Sequence, residues 1–544
     1  MQGRSAESAY DYLIVGGGSA GCVLANRLSA SGKHQVCLLE AGPPDDSLMI
    51  RMPGGVLPLM RTATYNWQFW TVPQARLGDR PLYWPRGRTL GGGSSINAQV
   101  YIRGHRSDYD HWAQLGNEGW SYDEVLPYFK KLEHFEPGAD DFHGEGGPLN
   151  AAKHRQTNPM AAVFLDAAQQ ASYEPNPDFN GVRQEGFGYY HVAQKDGERC
   201  SNARAYLRPA QVRSNLQVMT GVQATKLLFD GLRAVGVRYY CDGVYREVYA
   251  RREVILAAGA VGSPHLLQLS GIGPAEHLRA KGVPLFHDLP GVGANLQDHL
   301  DVIVSVKSRT RLGLSFHPLS LFRSLWALLQ FLFTRRGELT SNIVESGGFL
   351  KSDPAEPVPD LQMHFAALVN AKHGLDLSLL FRHYGYSLMT CDLRPHSRGT
   401  VRLASADPLL PPAIDPRHFE DERDLDKLVL AVKKAREILS QPAFATHAQR
   451  ELEPGAAVKT DAQLRDWVRA NAETIYHPVG TCRMGSDALA VVDARLRVHG
   501  LASLRVVDAS IMPTLVGGNT NAPTTMIAEK AADMILEDAL RPLS

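Results

Sequence analysis

The stretch YLIVGGGSAGCVLANRLSASGKHQVCLLE, residues 12–40, decides the fold of this chain. Its two ends, Tyr12–Val15 and Val36–Glu40, are short apolar runs of the kind that form buried parallel strands. Between them, Leu24 and Leu28 fall on one face of a predicted helix. A strand, a glycine turn, a helix and a second strand within about 30 residues are typical of the first βαβ unit of a dinucleotide-binding fold.

The glycine turn carries the pattern GxGxxG at Gly16, Gly18 and Gly21. These glycines permit a tight turn, close approach of the backbone to a pyrophosphate, and close helix–strand packing. Glu40 ends the second strand, where a carboxylate can bind a ribose hydroxyl and would repel the 2′-phosphate of NADP. The predicted site also includes the neighbouring residues Ser19, Ala20 and Ala41. The motif does not separate NAD from FAD, and a glycine turn that serves packing alone is the alternative.

A second glycine cluster, GRTLGGGSSIN at Gly87–Asn97, favours the larger cofactor. Its polar donors are Arg88, Ser94, Ser95 and Asn97. A loop of small residues with such donors can wrap the second part of a large cofactor, which a nicotinamide-dependent protein would not need. The alternative is a flexible surface turn. The two clusters together therefore predict FAD.

Length and charge limit the class of protein further. The chain has 544 residues and a mass of 59.7 kDa, which is too much for one hydrophobic core. Its 57 basic residues balance 57 acidic residues, so no overall field favours nucleic acid as a partner. Hydrophobic residues make up 44% and charged residues 21%, which indicates a globular protein.

The six cysteines form no CxxC pair and no metal-ligand spacing. We therefore expect no metal site and a reducing compartment. The polar stretch MQGRSAESAYDY at the N-terminus lacks the basic and apolar regions of a secretory signal. Both observations predict a cytoplasmic protein.

Strands of the dinucleotide type return at Glu253–Ala260 and Leu504–Asp508, whereas the region from about 301 to 480 mixes strand-like runs with helices. We therefore predict an α/β protein with a Rossmann-like FAD-binding domain interleaved with an α+β substrate-binding domain that carries an antiparallel sheet. The predicted FAD-binding domain comprises residues 1–155, 203–300 and 485–544, and the substrate-binding domain comprises 156–202 and 301–484.

Four stretches resemble signatures of the glucose–methanol–choline (GMC) oxidoreductases. They are GRTLGGGSSINAQVYIRGHRSDYD from Gly87, GAVGSPHLLQLSGIG from Gly259, YHPVGTCRMG from Tyr476, and VVDASIMPTLVGGNTNAPTTMIAEKAA from Val506. They occur in the family order, and the resemblance extends from residue 11 to about residue 535. It implies a two-domain enzyme that contains FAD and oxidises alcohols.

The resemblance also assigns residues to the cofactor. The residues expected to line it, besides those of the first glycine turn, are Arg88, Gly93, Ser94, Asn97, Ala98, Val222, Asp508 and Asn519. Some family members tether FAD through a histidine in the second glycine loop, and the corresponding position here is Ile96. We therefore expect FAD to be bound without a covalent link.

Alcohol oxidation requires a base for the hydroxyl proton and a donor for the developing alkoxide. His477, which lies between Tyr476 and Pro478, resembles the catalytic histidine of the family. Asn521 resembles the second catalytic position, where its amide would hydrogen-bond the substrate oxygen. A turn asparagine is the alternative for Asn521. Tyr476 is expected to shape the substrate pocket, although core packing would explain it equally well.

The substrate is less determined by the sequence. Glu345 is a candidate for attracting a cationic substrate such as choline, with a salt-bridged strand residue as the alternative. The apolar segment 319–336 is predicted to be helical and too short to span a bilayer. It is either buried against another element or rests on a membrane, in which case a quinone is a reasonable electron acceptor.

The leading prediction is thus an FAD-dependent dehydrogenase that converts a primary alcohol into the aldehyde and passes electrons to a quinone or a similar acceptor. Choline or sorbose/polyol oxidation are substrate variants, and an oxidase that uses O₂ is the nearest rival. A hydroxynitrile lyase on the same fold and a non-catalytic flavin-binding protein are less favoured alternatives. Peripheral contact with the inner membrane remains the alternative to a purely cytoplasmic location.

Overall fold

A computed structural model describes residues 9–315, 321–370 and 378–540. The strands are β1 (Ala9–Val15), β2 (Val36–Glu40), β3 (Phe69–Trp70), β4 (Tyr83–Trp84), β5 (Glu133–Phe135), β6 (Leu149–Ala151), β7 (Gly186–Tyr189), β8 (Gln194–Lys195), β9 (Glu198–Arg199), β10 (Leu216–Thr220), β11 (Gln223–Asp230), β12 (Arg233–Cys241), β13 (Val244–Leu256), β14 (Ile272–Gly273), β15 (His287–Asp288), β16 (Leu300–Ser308), β17 (Ser346–Leu350), β18 (Leu361–Ala366), β19 (Gly385–Asp392), β20 (Thr400–Arg402), β21 (Ala413–Asp415), β22 (Ala448–Glu453), β23 (Glu473–Thr474) and β24 (Leu504–Val506).

The helices are α1 (Ser19–Ser29), α2 (Leu48–Arg51), α3 (Val56–Arg61), α4 (Arg106–Gln114), α5 (Tyr122–Leu132), α6 (Pro159–Gln170), α7 (Arg208–Ala210), α8 (Gly259–Leu269), α9 (Ala275–Ala280), α10 (Leu321–Thr334), α11 (Ser378–Arg382), α12 (Glu422–Leu439), α13 (Asp461–Asn471) and α14 (Asn521–Ala539). Among the helices in the described ranges, none has both the length and the apolar character that crossing a bilayer requires.

The first large sheet is the one that residues 12–40 predict. Its strands lie in the order β10-β2-β1-β13-β12-β11, with β24 beside β13. Strands β10, β2, β1, β13 and β24 pair in parallel, with Tyr12 opposite Val36. Helices cover parallel strands on both faces, so these strands are apolar on both sides, and Leu13, Ile14 and Leu38 are fully buried.

The second large sheet is mainly antiparallel and has the order β22-β16-β19-β18-β17-β7, with β23 beside β16. Side chains alternate between its faces. One face presents Val302, Val304 and Leu388 to a core that includes Leu425 and Leu428 of helix α12. The other face is directed at the glycine loops of the first sheet. The predicted fold class, a Rossmann-like unit with an α+β unit that carries an antiparallel sheet, is confirmed.

The C-terminal helix α14 packs against α1 and ties the end of the chain to its beginning. Arg27 of α1 forms a two-pronged ion pair with the fully buried Glu529 of α14, at N–O distances of 2.6 and 2.9 Å. Tyr206 also donates a hydrogen bond to this carboxylate. Lys131 also lies 3.5 Å from this carboxylate, and removing the charge of Glu529, which is fully buried, would leave Arg27 without its partner and destabilise the contact. The contact holds the N-terminal end of α14 beside the first glycine turn.

Candidate active site

A cavity of about 590 Å³ lies between the two large sheets. The glycine loops and the ends of the parallel strands form one wall, and the antiparallel sheet together with the loop before Pro478 forms the other. Ligand sites in open parallel sheets lie at the carboxyl ends of the strands, where β1 runs into Gly16 and β13 into Ala257.

The first glycine turn meets the geometric requirements of a dinucleotide site. Gly16 has φ of +106°, which favours glycine. A Cβ atom on Gly21 would lie 1.9 Å from the carbonyl oxygen of Gly16, so this position tolerates only hydrogen. Gly18 borders the cavity, and its added Cβ would meet nothing closer than 3.9 Å. The backbone is therefore open to a ligand at Gly18 and closely packed at Gly21.

Glu40 lies at the floor of this end of the cavity. Its carboxylate accepts hydrogen bonds from the backbone N–H groups of Gly17 and Gly42, both at 2.8 Å. Burial raises the pKa of Glu40 to about 7, against the lowering effect of these N–H groups. A ligand hydroxyl that donates to this carboxylate would favour its charged form.

The second glycine loop turns sharply at Gly91 and Gly92, where φ is +84° and +51°. Gly93 follows with open space where a Cβ would stand, so the backbone there faces the cavity. The guanidinium of the buried Arg199 donates to the carbonyl and side-chain oxygens of Asn97 at 2.6 and 2.9 Å. Arg199, which the sequence analysis missed, thus holds the loop in place.

Most of the predicted cofactor residues line the cavity. They are Gly16, Gly18, Ser19, Ala20, Glu40, Ala41, Gly93, Asn97, Ala98, Val222, Asp508 and Asn519. Gly21, Arg88 and Ser94 do not line it. Arg88 lies over the ring of Trp67, and the Ser94 hydroxyl donates to the carbonyl of Gly91 within the loop. These two polar side chains support the loop rather than face a ligand.

His477 lies at the far end of the cavity and is held from several sides. Its backbone N–H donates to the carboxylate of Asp298 at 2.7 Å. Its Nε2 atom lies 3.3 Å from the amide nitrogen of Asn519, and its Nδ1 atom lies 3.0 Å from Nδ1 of His299. Gln362 of β18 donates to the amide oxygen of Asn519 at 3.1 Å, which turns the amide nitrogen of Asn519 towards His477.

This network assigns the tautomer of His477. An amide nitrogen only donates, so Nε2 of His477 accepts and the ring proton lies on Nδ1. Nδ1–H then donates to Nδ1 of His299. Burial is the main cause that lowers the pKa of His477 well below its usual value of 6.5, and the nearby positive charge of Arg86 acts in the same direction. The ring is thus neutral, with a lone pair at Nε2 beside a hydrogen-bond donor.

The structure corrects the position of the amide. The side chain of Asn521 does not approach His477 but donates to the hydroxyl of Ser19 at 3.0 Å, at the start of both α14 and α1. Asn519, predicted as a cofactor residue, supplies the amide beside His477. Both asparagines occur in the same GNTN stretch, so the motif alone did not distinguish them.

Glu345 does not line the cavity. Its carboxylate accepts a hydrogen bond from the backbone N–H of Asn158 and another from the hydroxyl of Ser341, both at 2.6 Å. Burial raises its pKa. Glu345 therefore connects neighbouring loops. It precedes strand β17, so it fits neither the predicted pocket position nor the salt-bridged strand alternative.

Tyr476 lines the cavity and has φ of +73°, an uncommon conformation for a residue other than glycine. Arg86 donates to its backbone carbonyl at 2.7 Å and stabilises this turn before His477. Burial raises the pKa of Tyr476 well above its usual value, so the phenol stays neutral.

The antiparallel sheet contributes residues that the sequence analysis missed. Ile303, Met389 and His364 are adjacent in register across β16, β19 and β18, and His364 and Met389 line the cavity. Asp301, two residues before Ile303 and on the same face, lines the cavity and is fully buried. A sequence signal did exist, because QDHLD places charged residues at the start of the apolar strand β16.

Comparisons with known proteins agree with this architecture. Residues 10–301 and 395–528 match the N-terminal and C-terminal models of the GMC oxidoreductases. The chain belongs to this family and is a flavoprotein oxidoreductase.

The individual relatives cover nearly the whole chain. It is 49% identical over 532 residues to an alcohol dehydrogenase [acceptor] of Pseudomonas putida, covering 97% of this chain and 96% of the relative. It is 43% identical over 542 residues to the mitochondrial choline dehydrogenase of Homo sapiens, covering 98% and 91%. Among solved structures, a pyridoxine 4-oxidase from Mesorbium loti superposes with a TM-score of 0.87 at 32% identity, covering 96% and 98%. An FAD-dependent oxidoreductase from Chaetomium thermophilum superposes with a TM-score of 0.87 at 28% identity, covering 97% and 99%.

Proposed function

We propose that this enzyme oxidises a primary alcohol to the aldehyde, with His477 as the base. The observation that carries the proposal is the neutral imidazole whose Nε2 atom faces the cavity beside the amide of Asn519. A substrate hydroxyl that replaces the Asn519 amide at Nε2 would give its proton to Nε2, while its oxygen accepts a hydrogen bond from that amide. The 49% identical alcohol dehydrogenase [acceptor] supports this substrate class.

His299 has a positioning role in this proposal. It accepts the Nδ1 proton of His477 and thereby keeps the lone pair of His477 on the side of the cavity. Burial lowers the pKa of His299 to about 3, so it stays neutral and keeps its accepting nitrogen. A protonated His299 could not accept this bond.

FAD, when bound, would supply the acceptor for the hydride of the carbinol carbon. The elongated cavity with backbone exposed at Gly18 and Gly93 fits a dinucleotide, and Glu40 fits a ribose hydroxyl. Ile96 packs against Ile50 and Leu59 at the position where some relatives have a tethering histidine. We therefore propose non-covalent binding, which predicts that acid precipitation releases all the flavin into the supernatant.

The division of labour between domains is part of the same proposal. Residues 1–155, 203–300 and 485–544 would bind FAD, and residues 156–202 and 301–484 would bind the substrate. The antiparallel strands β16 to β19 support this division, because they bring Asp301 and His364 to the substrate end of the cavity.

A cationic alcohol such as choline is the second candidate substrate, and Asp301 favours it. Among the described residues that line the cavity, the carboxylates are Glu40, Asp508 and Asp301. Glu40 and Asp508 belong to the dinucleotide end, so Asp301 is the acid of the substrate end. The 43% identical choline dehydrogenase agrees with this candidate. Sorbose or another polyol, and O₂ as acceptor, remain the other variants.

For the acceptor we propose a quinone, with the enzyme in the cytoplasm and in peripheral contact with the inner membrane through residues 319–336. Residues 319 and 320 lie outside the described residues, and helix α10 covers most of the remainder. A lipid-soluble acceptor makes the membrane surface the place where the reduced enzyme would be reoxidised.

Anaerobic titration of the purified holoenzyme with a panel of alcohols tests the proposal. Primary alcohols are expected to bleach the flavin absorbance near its visible maximum, and choline does so if the second candidate holds. Peroxide formation in air without added dye would identify an oxidase instead. A flavin that no alcohol reduces would contradict the proposal and favour the lyase or the binding protein.

A further inference from the structure

Helix α10 exposes its apolar face to solvent. Phe322, Trp326 and Phe333 are 88%, 67% and 83% exposed, and Leu325 and Leu329 are exposed between them. At 100° per residue these five side chains fall within one third of the helix circumference. A helix on the surface of a globular protein normally turns such a stripe towards the core.

The opposite face fixes the helix to the protein. Ala327 and Phe331 are buried, and Arg335 caps the last turn by donating to the carbonyls of Phe331 and Leu332. Arg323 pairs with Glu338 at 2.6 Å. The apolar stripe is thus exposed although the helix itself is firmly packed against the rest of the protein.

The charges around the stripe are basic. Arg311, whose backbone carbonyl accepts a hydrogen bond from Arg323, and Arg336, two residues after the helix, are both exposed. Among the described residues, two carboxylates close to the helix are paired with arginines, since Glu338 binds Arg323 and Glu198 binds Arg204 and Arg335. The described residues of the rim therefore carry excess positive charge.

The stripe is connected to the cavity wall by a short segment. After Thr334 the chain passes through the 3₁₀ turn at Glu338–Thr340 to Asn342 and Val344, which line the cavity. Asn342 donates to the carbonyl of Ala98, directly after the second glycine loop, at 2.7 Å. Leu339 also contacts the backbone at Gly54, which leads into helix α3 and its cavity-lining Val56.

We propose that α10 docks on an anionic lipid bilayer, with Phe322, Leu325, Trp326, Leu329 and Phe333 inserted at the level of the headgroups. Aromatic and leucine side chains on one face with arginines at the rim suit the boundary between headgroups and acyl chains. Each basic residue near an anionic surface adds to the attraction. This inference deepens the proposed function, because it names the surface that brings the cavity wall next to a lipid-soluble acceptor.

Flotation of the FAD-loaded enzyme with vesicles tests the docking surface. We expect binding to phosphatidylcholine vesicles that contain phosphatidylglycerol, weaker binding to phosphatidylcholine alone, and loss of binding at high salt. The double variant Phe322→Ser/Trp326→Ser should lower the partition coefficient about a hundredfold. The matched control Val212→Ser/Leu232→Ser removes two exposed apolar side chains elsewhere and should bind like wild type.

Other outcomes overturn the proposal. A wild-type enzyme that never floats excludes a lipid-binding face. A dimer of the wild type that becomes monomeric in Phe322→Ser/Trp326→Ser, without vesicle binding, assigns the stripe to a second copy of the chain. Activity with a soluble dye separates the two proposals. An enzyme that floats with vesicles but oxidises no alcohol would contradict the proposed function alone. An enzyme that oxidises alcohols but does not float would contradict the membrane docking alone.

Discussion

The two walls of the cavity are assembled over very different distances along the chain. On the dinucleotide wall, Glu40 binds the backbone of Gly17, which is 23 residues away. On the opposite wall, Gln362 orients Asn519 across 157 residues, and His299 contacts His477 across 178. The first wall works through backbone groups that local motifs expose, whereas the second works through side chains that only the tertiary fold brings together. Substitutions should therefore impair cofactor retention at the first wall and chemistry at the second.

The largest effect on the reaction rate is expected for His477, the proposed base on the second wall of the cavity. His477→Ala should lower the rate of anaerobic flavin reduction by about 10²–10⁴-fold, because the hydroxyl proton loses its acceptor. Stopped-flow absorbance measures this rate, and the flavin content should stay at the wild-type level. His265→Ala, which removes a histidine from the other end of the cavity, is the matched control. Unchanged reduction in His477→Ala would exclude this residue as the base.

The pair of asparagines tests the division between the walls directly. Asn519→Ala should slow flavin reduction about a hundredfold, since the alkoxide loses one aligned donor. Asn521→Ala removes the hydrogen bond to Ser19 and should weaken FAD retention while the reduction rate of the loaded enzyme stays close to wild type. Flavin fluorescence during dialysis and stopped-flow reduction separate these two effects. The reverse pattern would return the catalytic amide to Asn521.

The sequence predicted the first wall better than the second for a physical reason. GxGxxG and Glu40 lie within one βαβ unit, so strand and helix geometry place them without knowledge of the rest of the fold. Asp301, His299 and Gln362 reach the site through the pairing of β16, β19 and β18, and register is not visible in a single sequence. Glu345 illustrates the opposite case, a residue that the sequence suggested for the substrate pocket. It directly precedes strand β17 of the same sheet, but its carboxylate binds Asn158 and Ser341 in neighbouring loops.

The two carboxylates provide a smaller and more specific test. Asp301→Asn should raise KM for choline about tenfold relative to a neutral primary alcohol, because the ammonium group loses the carboxylate of the substrate end as its partner. Glu345→Gln should leave the ratio of the two KM values unchanged and lower thermal stability instead. An equal rise of both KM values in Asp301→Asn would show that the enzyme does not select for charge.

The smallest expected change concerns pH. The pKa of His477 lies well below 6.5, so the imidazole remains an unprotonated base at pH 6 and loses this competence only as the pH falls through the lowered pKa. The rate of flavin reduction should therefore stay nearly constant from pH 8 down to pH 6. A rate that halves near pH 6.5 in stopped-flow measurements would contradict the neutral tautomer and the role of burial.

The ion pair between Arg27 and Glu529 has a consequence for biosynthesis. Its partners are 502 residues apart, and the helix that carries Glu529 begins at Asn521, two residues after Asn519. A ribosome that has released the glycine turn, both large sheets and even His477 still retains the segment that completes the pocket. We therefore expect a chain truncated before α14 to lack both this ion pair and a complete pocket.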